Sequence, residues 1–144
     1  RACTYIEKCQ QGDGGIAYRL GNSGSRPAIT AAAVATMYNA GEYENPVAVG
    51  ALHYTMKLLN SKKSNLMEAY SGHSYYGLFY AGQSLWFAGE EQWREFFPLL
   101  REGLLKQQEE SGQWTGSTVG TVYSTAIATI LLQIPNHYLP ILQR

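Results

Sequence analysis

Charge of either sign is scarce in this chain of 144 residues. Only 15% of the residues are charged, and the 11 basic side chains are balanced by 11 acidic ones. With a formal net charge of zero, the chain is not expected to have the broad positive surface that non-specific nucleic-acid binding requires. Nucleic acid is therefore not an expected partner. No apolar run approaches the ~20 residues that span a bilayer, so no membrane span is expected.

Cysteine and aspartate are also rare. Cys3 and Cys9 lie six residues apart in a segment with a helical pattern, so their side chains point to different faces and no disulfide is expected. Asp13 is the one aspartate. A glycine-rich phosphate loop, a Gly-x-Ser-x-Gly nucleophile turn and a His-Glu-x-x-His zinc helix are all missing. The sequence therefore gives no support for the common nucleotide-binding, hydrolase or metalloprotease classes.

A repeated turn is the most informative feature that is present. Residues 10–16 and 108–114, which begin with Gln10 and Gln108, both read Gln, three residues, Gly, one residue and a large apolar residue. A second echo links residues 39–42 (Asn-Ala-Gly-Glu) with residues 87–90 (Phe-Ala-Gly-Glu), 48 positions later. A period near 48 residues predicts stacked helical hairpins.

Two kinds of helix are predicted to alternate along the chain. Three segments are apolar almost all round, as buried helices are: 28–40, 73–88 and 119–133. Two others, 44–60 and 90–108, are apolar on one side only, and Pro98 is expected to kink the second of these or to restart it.

The remaining segments complete this pattern. Residues 1–10 are predicted to end one further outer helix and 136–143 to begin another, while 61–70 form a polar connector. No short Val- and Ile-rich strands separate the helices. The sequence thus predicts an all-α double layer, in which inner helices are covered on both sides and outer helices on one.

The second turn resembles a motif of a known family. Gln108, Gly112 and Trp114 form a Gln-x-x-x-Gly-x-Trp pattern that resembles the QW motif of squalene-cyclase-like triterpene cyclases. In such a turn, Gln can bond backbone groups left unpaired at a helix end, Gly permits the tight bend, and Trp fills the gap between layers.

The first turn resembles a related repeat. Gln11, Asp13, Gly14 and Gly15 are similar to the Gln-x-Asp-Gly-Gly-Phe repeats that these cyclases share with protein prenyltransferase β-subunits. The resemblance extends over most of the chain, which looks like the tail of large bacterial proteins that carry this repeat. It implies an α/α toroid, an inner ring of parallel helices within an outer ring. Residues 1–144 would be one toroid segment of about three hairpins, expected to belong to a longer chain.

The catalytic groups of the family do not accompany these motifs. Terpenoid cyclases of this class protonate an alkene with an Asp-rich motif, whereas Asp13 lies in the turn, where a cap or an Asx-turn explains it. Protein prenyltransferases bind zinc through Asp, Cys and His. Here Cys3 and Cys9 fall on an outer-type helix, His53 falls on another, and His137 lies in a loop. No metal or cofactor is expected.

Polar and aromatic residues of the inner helices are the remaining candidates for a site. Spacings of three and four place one group on a single face of the middle inner helix, and one tyrosine lies on the third: His73, Tyr76, Tyr80 and Gln83, with Tyr123. These residues are candidates for lining a pocket for a hydrophobic or cationic small molecule. The alternative is a buried core whose hydroxyls bond across helices.

Two functions remain open. One is a non-catalytic repeat module for binding or scaffolding within a larger protein. The other is a fragment of a terpenoid cyclase or prenyltransferase-like enzyme acting on an isoprenoid, with its acid or metal residues elsewhere in the protein. Three hairpins make only part of a ring, so the expected partners are the rest of a parent toroid or copies of this chain, unless the chain closes without a cavity.

Overall fold

The computed structural model describes residues 1–138 and 140–142. These residues form six α-helices and no strand, which confirms the all-α class. The helices are α1 (Ala2–Cys9), α2 (Pro27–Asn39), α3 (Pro46–Ser61), α4 (Ser74–Ala88), α5 (Glu90–Lys106) and α6 (Thr121–Gln133). Three short 3₁₀ turns lie at Leu66–Glu68, Ile134–Asn136 and Pro140–Leu142.

Local chemistry sets several helix ends. Pro27 and Pro46 occupy first-turn positions, where a missing N–H costs nothing. The Asn45 side chain accepts a hydrogen bond from the Val47 N–H at 3.0 Å and so caps α3. Gly89, at φ 136°, separates α4 from α5 in a conformation that favours glycine.

The helices pack in two layers around α2 and α4. Helix α2 contacts α3 and α4, and α4 in turn contacts α5 and α6. The inner helices α2, α4 and α6 begin at residues 27, 74 and 121, at equal intervals of 47, which agrees with the predicted period. Since the first turns of α2 and α4 line one hollow, these two helices run in the same direction.

Leucines of three helices form the larger part of the core. They are fully buried, and each contributes about 1.5–3 kcal/mol through apolar burial: Leu78, Leu85, Leu100, Leu104 and Leu131. A second cluster is centred on α2 and includes Val34 and Met37. The prediction that residues 28–40 are largely buried is confirmed, although Thr36, Asn39 and Ala40 are exposed.

Helix α6 departs from the predicted burial. Only Ser124, Ala128 and Leu131 are buried within it, and Val122 is 87% exposed. The prediction that 119–133 is covered on both sides is therefore wrong in this structure. The physical reason is that, within the described residues, α4 is the one α-helix that packs closely against α6, so much of the α6 surface is left uncovered.

The segment 61–70 is predicted to be a polar connector, but part of it is buried. Leu66, Met67, Ala69 and Tyr70 are all buried, because the 3₁₀ turn folds against α4 and α5. A Cβ at Gly77 would lie only 2.2 Å from the Tyr70 ring, so the absence of a side chain at Gly77 makes room for Tyr70.

The two remaining segment predictions also differ from the structure. In place of an outer helix at 136–143, the chain forms two 3₁₀ turns, and residues 139, 143 and 144 lie outside the described residues. Helix α5 runs through Pro98 without a restart, and this proline lies on its exposed side.

Candidate functional site

The two Gln turns have the same backbone. The Gly14 N–H donates to the Gln11 carbonyl at 3.0 Å, and the Gly112 N–H donates to the Glu109 carbonyl at 2.8 Å. Both glycines adopt left-handed φ values, 85° and 84°. The sequence repeat therefore corresponds to a repeated local structure.

The glutamine side chains act differently in the two turns. The Gln10 amide donates to the Gly14 carbonyl at 3.1 Å and to the Val47 carbonyl at 3.0 Å, which joins the turn to the first turn of α3. The Gln108 amide donates to the Gly112 carbonyl at 2.9 Å, within its own turn. The bond to another helix expected for both glutamines is thus found at Gln10.

Each turn also attaches to the inner helix that follows it. The Ile16 N–H donates to the Thr30 hydroxyl on α2 at 2.8 Å, and the Trp114 N–H donates to the Thr125 hydroxyl on α6 at 3.0 Å. Both apolar side chains are buried, and the indole N–H of Trp114 donates to the Leu104 carbonyl at 2.8 Å. These residues hold the layers together.

Asp13 has a structural environment. Its Oδ1 accepts hydrogen bonds from the Ser25 hydroxyl at 2.5 Å and from the Gly15 N–H at 3.0 Å, which closes an Asx-turn. The hydrogen bond from Ser25 is the main cause that lowers the pKa of this carboxyl below 3.8, and the Gly15 bond acts in the same direction. The side chain is therefore a carboxylate engaged within the turn.

The predicted pocket residues are only partly brought together. Tyr76 and Tyr80 are half-buried, and their rings meet edge to face with centroids 4.9 Å apart. Burial raises the pKa of Tyr76, neighbouring Tyr80 and Tyr123 raise it further, and Tyr76 and Tyr123 line one hollow. His73 is exposed at the start of α4, whereas Gln83 is buried and lines neither hollow described below.

The three inner helices share one pattern of burial along their length. Ile29, Tyr76 and Tyr123 are each the third residue of their helix, 47 residues apart, and each is half-buried. The eighth residues are fully buried: Val34, Ala81 and Ala128. The third position of each inner helix therefore remains accessible, whereas the eighth position is packed in the core.

Two hollows lie at the first turns of the inner helices. The large hollow, of about 700 Å³, is bounded by the loop before α2, the start of α2 and the segment leading into α4. The small hollow, of about 120 Å³, lies between the starts of α4 and α6 and includes Tyr123. His73 and Tyr76 line both, and no Asp or Glu side chain is among their described lining residues.

Sequence reasoning missed three residues of the large hollow. Tyr18, Asn22 and Arg26 come from the loop between α1 and α2, which has no hydrophobic periodicity. They lie roughly 50 positions from Tyr76 in the sequence, so no local pattern connects them with α4.

The candidate ligands for metals remain dispersed. His53 and His137 are exposed, and Cys3 and Cys9 are free thiols. Across residues 1–138 and 140–142, no group of three or more His, Cys, Asp or Glu side chains could hold a metal ion. Within the same part of the chain, no helix combines the length and apolar character needed to cross a membrane.

Comparison with protein-family models, curated proteins and solved structures finds no match for this chain. The fold and the site thus define an all-α protein of stacked helical hairpins with an aromatic-lined face on its inner helices.

Proposed function

We propose that this chain is a non-catalytic repeat module, a segment of an α/α toroid, that binds a ligand or partner on the face shared by its three inner helices. The observation that carries this proposal is the common register of Ile29, Tyr76 and Tyr123, which are accessible at equivalent positions. A repeated accessible face on a packed scaffold is the arrangement that stacked-repeat proteins use for binding.

The hydroxyls on this face support binding over a purely structural role. Tyr75, whose ring is buried, donates to the Thr115 carbonyl at 2.8 Å. By contrast, the hydroxyls of Tyr76, Tyr80 and Tyr123 form no hydrogen bond with any described residue. Tyrosines that combine an accessible ring with a free hydroxyl are typical of binding surfaces.

The open side of α6 supports the proposal that the module belongs to a larger assembly. This helix contains no charged residue, yet Val122, Ala126 and Thr129 are exposed along it. In α4, an inner helix with neighbours on both sides, Leu78, Ala81 and Leu85 are fully buried. A further hairpin, from the rest of a parent toroid or from another copy of this chain, would cover this side of α6.

The placement of acidic groups favours binding over acid-catalysed cyclisation. Asp13 is engaged by Ser25 and Gly15 in a turn that lines neither hollow. No carboxyl group among the described lining residues is positioned to protonate an alkene there. The alternative function, a fragment of an isoprenoid-converting enzyme, gains no residue from this geometry.

An NMR titration tests the proposal. Probes of four classes (ring acids, neutral sugars, choline and farnesyl diphosphate) are added to ¹⁵N-labelled protein, and amide shifts are mapped. We expect at least one class to shift residues 73–80 and 121–124. Tyr76→Ala should abolish that response, whereas Tyr138→Ala, at a residue 74% exposed that lines neither hollow, should preserve it.

Two results would contradict the proposal. If no class of probe shifts the inner-helix face, the face is not a binding site. Formation of a hydrocarbon or alcohol product from farnesyl diphosphate, measured by gas chromatography, would favour the enzyme-fragment alternative instead.

A further inference from the structure

We infer that the large hollow binds a carboxylate carried on a ring with an apolar face, such as a sugar acid or an aromatic acid. Arg26 would hold the carboxylate, and Tyr18 and Tyr76 would pack against the ring. This inference rests on the proposed function, because it assigns a ligand class to part of the binding face.

The size and lining of the large hollow fit a small molecule. Its volume of about 700 Å³ lies within the roughly 300–1,000 Å³ of small-molecule sites. Its lining includes apolar residues from the first turn of α2 and from the segment before α4: Pro27, Ala28, Ile29 and Ala69. It also includes polar residues: Asn22, Arg26, Ser71 and His73. A ligand that combines an apolar surface with polar groups matches this mixed lining.

The charge of the hollow favours an anion. The Arg26 guanidinium is exposed and makes no ion pair or hydrogen bond with any described residue. No acidic side chain among the described lining residues opposes it. A guanidinium binds a carboxylate through two parallel hydrogen bonds, so the unopposed positive charge also selects a planar anion.

The helix starts that border the hollow have the same preference. No side chain caps α2 or α4, and neither helix has an acidic residue in its first turn. The outer helices differ, since Asn45 caps α3 and Glu90 and Glu91 lie in the first turn of α5. The positive ends of the α2 and α4 dipoles therefore add to the attraction that Arg26 exerts on an anion.

The aromatic walls favour a ring. Tyr18 is 67% exposed, and its hydroxyl forms no hydrogen bond within the described residues. Tyr18 and Tyr76 line the same hollow, so both rings are available to one ligand. Aromatic side chains bury large apolar areas against flat partners. A simple anion such as acetate or phosphate would leave these two rings unused.

Calorimetric and NMR titrations with three groups of probes test the inference. Glucuronate and benzoate represent the two sources of a ring acid, glucose and benzyl alcohol are their neutral counterparts, and acetate and phosphate supply charge without a ring. We expect glucuronate or benzoate to bind, its neutral counterpart to bind at least about tenfold more weakly, and the simple anions to bind no better than the neutral probes. Whichever ring acid binds identifies the source.

Three variants locate the interaction. Arg26→Gln and Tyr18→Leu alter exposed side chains, so both should fold with an unchanged circular dichroism spectrum. Each should weaken ring-acid binding by about tenfold. Lys8→Gln changes an exposed cation of α1 that does not line the hollow, so it should leave binding unchanged.

The outcomes separate this inference from the proposed function. Ring-acid binding that is unaffected by Arg26→Gln, or equalled by acetate, would overturn the inference. Binding of only a neutral or cationic probe at Tyr76 would overturn the acid ligand and still support the binding face. Failure of every probe to shift residues near Tyr76 would overturn both.

Discussion

The turn at residues 10–16 and the turn at 108–114 have one backbone in two different surroundings. A Cβ added at Gly14 would lie 2.7 Å from the Gly50 carbonyl oxygen, so the first turn is pressed against α3. Around Gly112, no atom lies within 4 Å of the same position. The second turn is instead held by Trp114, which inserts its indole beneath Leu104. The comparison shows that a repeated motif fixes the local conformation, whereas its neighbours decide which residue contributes most to stability.

The apolar residue at the end of each turn gives the largest expected effect. We predict that Trp114→Ala lowers the free energy of unfolding by about 3–5 kcal/mol, because it opens a cavity and leaves the Leu104 carbonyl without its indole donor. Ile16→Ala should cost about 2–4 kcal/mol, since the smaller side chain makes no hydrogen bond of its own.

Urea unfolding followed by circular dichroism measures both changes. Val122→Ala, at an exposed position of α6, is the control and should change stability by less than about 0.5 kcal/mol. An Ile16→Ala cost that exceeds the Trp114→Ala cost would refute the prediction that the apolar residue contributes more to stability at the second turn.

Alanine at the two turn glycines separates backbone strain from crowding. Gly112→Ala should cost about 1–2 kcal/mol, because it places a side chain at positive φ in open space. Gly14→Ala adds a clash with the Gly50 carbonyl and should cost about 2–4 kcal/mol. Thermal unfolding of the two variants side by side checks this ranking. Equal losses would mean that α3 moves away from the turn without cost.

The turn glutamines should show a smaller difference in the same direction. Gln10→Ala removes hydrogen bonds to the Gly14 and Val47 carbonyls, and we expect a loss of about 1–2 kcal/mol. Gln108→Ala removes one exposed hydrogen bond and should cost less than about 1 kcal/mol. Chemical unfolding provides the values. A cost for Gln108→Ala as large as that for Gln10→Ala would show that the bridge to α3 contributes nothing.

The smallest expected effect concerns the stability of the two turns at acid pH. The pKa of Asp13 is lowered mainly by the Ser25 hydroxyl, and the pKa of Glu109 by the Gln113 amide and then the Thr115 hydroxyl. Since each folded-state pKa lies below its ordinary value of 3.8 or 4.5, both carboxylates stabilise the fold above those values. This contribution is lost as the pH falls through the folded-state pKa.

Melting temperatures measured as the pH is lowered from about 5 to 2 test this dependence. Asp13→Asn and Glu109→Gln should each flatten the decrease, by small amounts because both groups are exposed. An unchanged slope in Asp13→Asn would show that the Ser25 bond does not persist in solution.

The helices could be predicted because their signals are local. Residues 28–40 and 73–88 were expected to be helical, and the structure places α2 and α4 within about one residue of those limits. The burial of Leu66 and Met67 could not be predicted, because two apolar residues inside a polar stretch form no periodic pattern. The open side of α6 could not be inferred from its composition, since an uncharged helix reads the same whether or not a neighbour covers it.

The candidate site was only half accessible to sequence reasoning. Helical spacing predicts His73 and Tyr76, and a position on the third inner helix predicts Tyr123; each lines at least one of the two hollows. Gln83 shares that spacing but is buried. Arg26 and Tyr18 were not found, because the chain fold alone brings their loop to the start of α4.

The order of the helices and the conformation of the two turns follow from the sequence alone. Apolar periodicity and glycine at positive φ act between residues close in the chain, so they can be read along it. Contacts between distant segments set three further features: Gly14 presses against α3, α6 keeps an open side, and Arg26 lines one hollow with Tyr76 of another hairpin. Those outcomes depend on which distant segments become neighbours, and burial is a property of that arrangement.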